Sequence, residues 1–241
     1  MNPALLWCVP AGLAAGLLCV PLFNRLPAKW LCDYGEEPGP ELSGRRASAV
    51  PEGLALGAAF AAAFPLFAAQ YGVSPVFFLL CASVVPLALA AEADLKYRIV
   101  PDELLPAAAA PALAVWLLGL CGRADFYGSR ASPFLGALAG AALWMLVALL
   151  GRAIYRRESV GAGDVKLFAA VGFLCGFPGA VYAFLLTIVL AGAHFLALML
   201  LRRIGPEQEM PMGPYVCAAC LLALAFRSQI AALARWYLSL M

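Results

Sequence analysis

Eight stretches of this chain are apolar for long enough to leave water, near residues 4–23, 53–70, 75–93, 103–121, 132–151, 165–178, 179–201 and 212–229. A helix that crosses a bilayer needs about 20 mostly apolar residues, and it must satisfy its own backbone N–H and C=O groups because lipid offers no partners. Only 12% of the side chains are charged, against about 25% in a water-soluble domain. The sequence therefore predicts an all-α fold, a polytopic membrane bundle of about eight transmembrane helices forming a single membrane domain over residues 1–241.

Basic side chains give the bundle a direction. With the N-terminus outside, twelve of the sixteen fall on the cytoplasmic side: Arg25, Lys29, Arg45, Arg46, Lys96, Arg98, Arg152, Arg156, Arg157, Lys166, Arg202 and Arg203. Arg123, Arg130, Arg227 and Arg235 remain outside, as the positive-inside rule requires. The first basic residue, Arg25, follows the first apolar run instead of preceding it, so that run is expected to be a retained helix and not a cleaved leader. The net charge of +2 hides this asymmetry and carries no signal for nucleic acid.

One long polar stretch, residues 24–52, is rich in proline, glycine and charge and is expected on the cytoplasmic side. It is too short to hold a core of its own. Seven of the eight cysteines sit in apolar segments, where small polarizable side chains pack well. Cys217 and Cys220 have Cys-x-x-Cys spacing, but no second pair or nearby histidine joins them, which argues against a metal site.

The segment from Asp164 to Pro178 has 15 residues, about 22 Å of helix against an apolar thickness of about 30 Å. Either the bilayer thins around it, or its N-terminal end sits in a water-accessible cavity below the membrane surface. The second arrangement puts Asp164 inside the membrane boundary.

The chain contains no Gly-x-Ser-x-Gly turn and no His-Glu-x-x-His pattern, and its single histidine, His194, lies within an apolar run, where bonding across helices is the expected role. Acids remain. Glu92, Asp94, Asp102 and Glu103 cluster in "AEADLKYRIVPDELL", and Asp164 stands in "GAGDVKL". Each has a structural reading. Asp102 and Glu103 follow Pro101 and suit the first turn of a helix. Glu92 and Asp94 suit ion pairs with Lys96 or Arg98, and Asp164 suits an N-cap.

The chemical reading pairs Asp94 with Asp164 across a cavity. Two close carboxylates cannot both ionise cheaply and so share a proton; one then serves as general base on a water while the other donates to the scissile carbonyl and the leaving amine. Gly161 and Gly163 would let the backbone take positive φ and a peptide strand approach. Lys166 would neutralise charge or touch the substrate.

These residues give the chain its resemblance to the type IV prepilin leader peptidases, aspartic membrane peptidases with a Gly-x-Gly-Asp motif. The matching stretches are "NRLP" at Asn24–Pro27, "DLKYRIVPD" at Asp94–Asp102, "GAGDVKL" at Gly161–Leu167 and "MPMGPY" at Met210–Tyr215. The resemblance implies Asp94 and Asp164 as the catalytic pair, with Gly161, Gly163, Lys166, Asp102 and Arg98 in supporting or substrate-binding places. It implies prepilin or pseudopilin substrates, cut at the cytoplasmic face of the bacterial inner membrane in type IV pilus or type II secretion systems. It also implies S-adenosylmethionine as the methyl donor where the new N-terminus is methylated. Many members carry two zinc-binding Cys-x-x-Cys pairs in the first cytoplasmic loop, whereas residues 24–52 hold only Cys32. The chain thus resembles a subgroup without that tetrad, and neither zinc nor another metal is expected. Intramembrane acids and broken helices also mark proton-coupled transporters, and Gly-x-Gly-Asp also occurs in presenilin-like proteases of other membrane proteins. No paired half-sequences support the first, and the Pro-Ala-Leu signature of the second is missing. A noncatalytic assembly factor, with the acids as caps only, is a further alternative.

Overall fold

A computed structural model describes residues 3–32, 35, 37–42, 44–155, 161–205 and 210–239. Arg156 and Arg157, counted above among the cytoplasmic cations, lie outside the described residues. Among those described there are nine α-helices and no strand: α1 (Pro3–Arg25), α2 (Leu54–Tyr71), α3 (Pro75–Tyr97), α4 (Leu104–Leu120), α5 (Ser132–Tyr155), α6 (Ala162–Cys175), α7 (Gly179–Leu200), α8 (Gly213–Ala225) and α9 (Arg227–Leu238). All eight apolar segments are helical, and the eighth is split at Phe226 into α8 and α9, which meet at 84°.

The expected count of eight spans is not reproduced. Five helices are long and apolar enough to cross a membrane, those of α1, α2, α3, α5 and α7, and a sixth appears only if the bent α8–α9 pair is taken as one span. The reason is length. With 17, 14 and 13 residues, α4, α6 and α8 reach about 26, 21 and 20 Å, short of the roughly 30 Å of hydrocarbon.

Close helix contacts run along glycines. In lipid the hydrophobic effect does not press helices together, so small residues that let backbones touch become the contact surface. Gly12 and Gly16, one turn apart on α1, face the backbone of Gly57 and Phe60 on α2, and a β-carbon at either would run into it. The same spacing recurs on α5: Gly136 meets Gly172 of α6, and a β-carbon at Gly140 would lie 2.5 Å from the Phe168 carbonyl oxygen. Aromatic packing fills the remaining space. Trp144 stacks on Phe168 with ring centroids 5.2 Å apart, and Phe184 of α7 meets both edge-on.

The polar 24–52 stretch lies down on the bundle. The Asn24 amide ties its two ends: Oδ1 accepts the Arg46 and Ala47 N–H groups at 2.7 and 2.8 Å, and Nδ2 donates to the Ala47 carbonyl at 2.8 Å. Arg46 donates to the Leu26 and Leu42 carbonyls. Leu31, Leu42 and Ala47 are buried against the helices, so the stretch borrows the bundle's core. Lys96 of α3 fastens it further, donating to the Arg46 carbonyl at 2.6 Å and pairing with Glu52 at 2.7 Å and Glu92 at 3.1 Å. The Glu92 pair spans one helical turn and is among the pairings with Lys96 or Arg98 that the sequence left open.

Candidate active site

α3 begins at Ser74, whose side chain accepts the Phe77 N–H, with Pro75 pre-set for the first turn. It ends where Arg98 takes a left-handed conformation (φ 57°) and gives its N–H to the Asp94 carbonyl at 2.9 Å. Asp94 therefore occupies the last turn. Its side chain meets the start of α8, and the residue is only 5% exposed. Oδ2 accepts the Gly213 N–H at 2.6 Å, and the Met212 N–H is a second donor to the carboxylate. First-turn N–H groups have no partner within their own helix, so α8 satisfies its N-terminus with the acid of α3. Cys217, one turn further on, donates to the Leu87 carbonyl at 3.1 Å and keeps the two helices together.

Gly213 has no alternative here. A β-carbon on it would stand 2.9 Å from Asp94 Oδ2 and 3.0 Å from Asp94 Cβ. The only signal of this role in the sequence is the Gly-Pro pair opening an apolar run, in a motif to which the residue pattern assigned no task.

Asp164 enters from α6. Gly161 is the N-cap residue, extended at φ −73° and ψ 150°, and Asp164 is the third residue of the helix. Its N–H bonds the Gly161 carbonyl at 3.1 Å, while its carboxylate reaches back to the Gly161 N–H. This is the acidic half of a capping box. The expectation that Asp164 is itself the N-cap is corrected, because the helix starts three residues earlier than the apolar run suggests. The positive-φ reading of the glycines is corrected as well. Gly161 is extended and Gly163 helical; Gly163 is small because a β-carbon would press to 3.2 Å from Val100 Cβ, in the loop that follows Asp94.

Asp102 and Glu103 do not occupy the first turn of α4. That helix starts at Leu104, with Glu103 as an N-cap that makes no side-chain capping bond. Pro101 turns the chain toward α6 instead, and Asp102 pairs with Lys166 at 2.5 Å. The ion pair joins the two acid-bearing segments across their exposed edge, with the side chains 35% and 49% exposed.

Together these pieces wall a cavity of about 840 Å³. Asp94, Arg98, Asp102, Gly163, Asp164 and Lys166 all line it, as do Glu103 and residues 99–101. Lys29, Trp30, Cys32 and Gly35 contribute from the polar stretch, a contribution that composition alone did not suggest. Asp94 and Asp164 are near enough that the charge of one acts on the other. Three short helices, α4, α6 and α8, start at this cavity or at the acids on its wall, and their N-terminal dipoles favour negative charge there. Among the described residues, histidine, cysteine, aspartate and glutamate form no group of three or more able to hold a metal ion. Two carboxylates lining one pocket can activate a water and protonate a leaving group.

His194 lies on α7, where Nδ1 is 2.5 Å from the Tyr215 hydroxyl of α8. This is the cross-helix bond that its isolation in an apolar run predicts, two residues from Gly213.

Residues 77–196 match the model of the type IV leader peptidase family, a span running from α3 through most of α7 that includes both Asp94 and Asp164. Similar proteins carry the name prepilin leader peptidase/N-methyltransferase. The one from Bacillus subtilis (strain 168) is 26% identical over 168 residues, 68% of this chain and 63% of the relative. The one from Aeromonas salmonicida (strain A449) is 31% identical over 147 residues, 61% and 47% of the two chains. The one from Burkholderia pseudomallei (strain K96243) is 31% identical over 176 residues, 72% and 53%. The chain thus spans between about half and under two thirds of the length of these curated relatives. No solved structure matches it significantly. With its helical, multi-span architecture and the family match through both acid-bearing segments, the chain belongs to the type IV leader peptidase family.

Proposed function

We propose that the chain is an aspartic endopeptidase that removes the short basic leader from type IV prepilins or pseudopilins at the cytoplasmic face of the bacterial inner membrane. The observation that carries this reading is the meeting of Asp94 and Asp164. They lie 70 residues apart in sequence, yet they line one cavity, and the charge of Asp94 acts on Asp164. The names of the relatives give the substrate class. Sidedness follows from the basic side chains, because the cavity lies at the end of the bundle that carries Lys29, Arg98 and Lys166.

In this mechanism the two carboxylates hold one proton. The ionised member takes a proton from a water as that water attacks the scissile carbonyl, and the protonated member gives its proton to the carbonyl oxygen. A tetrahedral diol results. Its collapse returns one hydroxyl proton to a carboxylate, breaks the C–N bond and sends the other carboxyl proton to the departing amine. Asp94 is held for this by the Met212 and Gly213 N–H groups, and Asp164 by Gly161. Lys166 and Asp102 brace the loop against α6, while Arg98 places a positive charge beside Asp94. The peptidase step uses no metal and no cofactor. Zinc is not part of the proposal, since residues 24–52 supply one cysteine only.

The test is leader removal from a prepilin in membranes containing the wild-type chain, Asp94→Asn or Asp164→Asn. Both variants should insert normally and leave the leader in place. Normal cleavage by either rules out the dyad, and loss of cleavage in Asp102→Asn alone means that the wrong acid of that loop has been chosen. A labelled S-adenosylmethionine in the same assay tests the second activity in the relatives' names. Label on the mature N-terminus adds methyl transfer, and unlabelled product makes the chain a peptidase alone.

A further inference from the structure

We propose that α9 is an in-plane membrane anchor, a helix whose partner is the lipid headgroup layer on the face of the bilayer remote from the acid cavity. α8 leaves the cavity at Gly213, in contact with Asp94, and runs 13 residues to Ala225, a climb of about 20 Å. There the chain turns by 84° into α9. A helix that follows a climbing one at this angle runs across the membrane surface. α9 is also a poor candidate to continue the crossing: its 12 residues include Arg227, Ser228, Gln229 and Arg235.

Its faces divide accordingly. Ile230, Ala231 and Ala234 are half-buried toward the bundle. Leu233, Trp236 and Tyr237 form a separate stripe at helical spacing and are 63%, 59% and 59% exposed, while exposed Arg235 lies on the flank away from it. Water is a poor partner for three large side chains in one stripe. Tryptophan and tyrosine, with an apolar body and a polar tip, concentrate at headgroup level. Large exposed apolar side chains also mark the spans themselves, as at Leu185, Ile188 and Val189 of α7.

The anchor reaches the site through its first residue. Arg227 donates to the carbonyl of Cys175, the last residue of α6, at 2.9 Å, and its guanidinium lies 4.4 Å from the centre of the Phe126 ring. The α8–α9 corner thus fastens the remote ends of α6 and α8. The near ends of these two helices carry Asp164 and the Gly213 N–H, so the depth of α9 sets the depth of both.

The test uses the full chain in nanodiscs of phosphatidylethanolamine and phosphatidylglycerol, with a benzophenone amino acid placed singly at positions 233, 236, 237 or 235. After irradiation, intact mass should show several-fold more phospholipid adduct at the three stripe positions than at 235, with the cross-link near the glycerol end of the acyl chains. Adducts near background at all four positions, cross-linked dimers at the stripe, or adducts at the acyl-chain ends would overturn the proposal, pointing respectively to a water-exposed helix, a second copy or a broken span, and equal adducts at all four would overturn it by removing the sided face. Hydrogen exchange provides a check without the unnatural residue. Amides of 227–238 should be protected in nanodiscs and lose that protection several-fold in the Leu233→Ser, Trp236→Ser, Tyr237→Ser triple variant, while those of α8 keep theirs. Unprotected α9 amides in the wild-type chain would sink the idea equally.

Discussion

Gly213→Ala tests whether the start of α8 works as a holder for Asp94. Alanine is a better helix former than glycine, so helix propensity alone predicts a neutral or slightly stabilising change. Geometry predicts the opposite. The new methyl would stand 2.9 Å from Oδ2, 3.2 Å from Cγ and 3.0 Å from Cβ of Asp94. Rotating the carboxylate relieves the first two contacts but not the third, so α8 must also back away. Either movement breaks the 2.6 Å bond from the Gly213 N–H. A hydrogen bond to a charged group contributes about 1.5–3 kcal/mol, and about 1.4 kcal/mol is tenfold in rate. If that bond holds the acid in its reactive place, kcat for leader removal should fall between about tenfold and a hundredfold, with KM changed far less. Initial rates on a purified prepilin in mixed micelles measure this. Gly192→Ala on α7, where a β-carbon meets nothing within 4 Å, should cleave at the wild-type rate. A thermal melt separates a displaced acid from an unfolded bundle, since overpacking here costs about 1–3 kcal/mol and leaves a folded protein. A folded Gly213→Ala enzyme with wild-type kcat would refute the reasoning.

Three further expectations follow from the polar contacts. The Lys166–Asp102 pair is part-exposed, so a double-mutant cycle with Lys166→Ala and Asp102→Asn should give a coupling of at most about 1 kcal/mol in stability; a larger value would mean that the pair holds the loop on α6 more firmly than its exposure allows. Lys96→Met leaves Glu52 with Ser48 alone and strands buried Glu92, and it should lower the melting temperature, with partial recovery on adding Glu92→Gln, which removes the stranded charge. Tyr215→Phe removes the bond to His194 and should cost about 0.6–1.7 kcal/mol, the range for polar contacts between membrane helices, measured by unfolding in detergent.

Much of the fold was legible because the bilayer restricts a spanning chain to a few solutions. Each apolar run became a helix, and the run after Asp164 announced its shortness through Pro178 alone. Span number was less legible, since a 14-residue and a 22-residue apolar helix, α6 and α7, give similar signals until their lengths are set against the hydrocarbon. At the site the acids stood out because charge is rare in such a chain. Their supports did not. Asp94 is held by backbone N–H groups 119 residues away, and a backbone donor leaves no mark in side-chain composition. Gly163 could be read as a flexible residue or as a close-packed one, and only the position of Val100 decides between them. Asn24 is a similar case, as its amide works by joining residues 22 and 23 positions away, a distance that no local pattern encodes.

The short helices give these parts a common purpose. The proposed peptidase chemistry beside lipid needs water and charge at a depth where neither is stable. If α4, α6 and α8 each spanned the full hydrocarbon, their first turns would lie at the membrane surface, and the acids among them would meet bulk water. At about 20–26 Å they leave one side of the bundle hollow. The hollow is lined by the first turn of α6 and the segment leading into α4, with Asp94 held by the first N–H of α8, and it is closed by the polar stretch carrying Lys29 and Trp30. Lengthening one of them separates this account from a merely tolerated mismatch. Two alanines inserted between Leu174 and Cys175 would carry the Cys175 carbonyl about 3 Å further from the near end of α6 and break its bond to Arg227, while leaving the Asp164 turn untouched in sequence. If the remote fastening sets the depth of the site, cleavage should fall in the inserted variant although the cavity residues are all present. Full activity would show that the near ends hold themselves in place through Gly213, Gly161 and the Lys166–Asp102 pair alone.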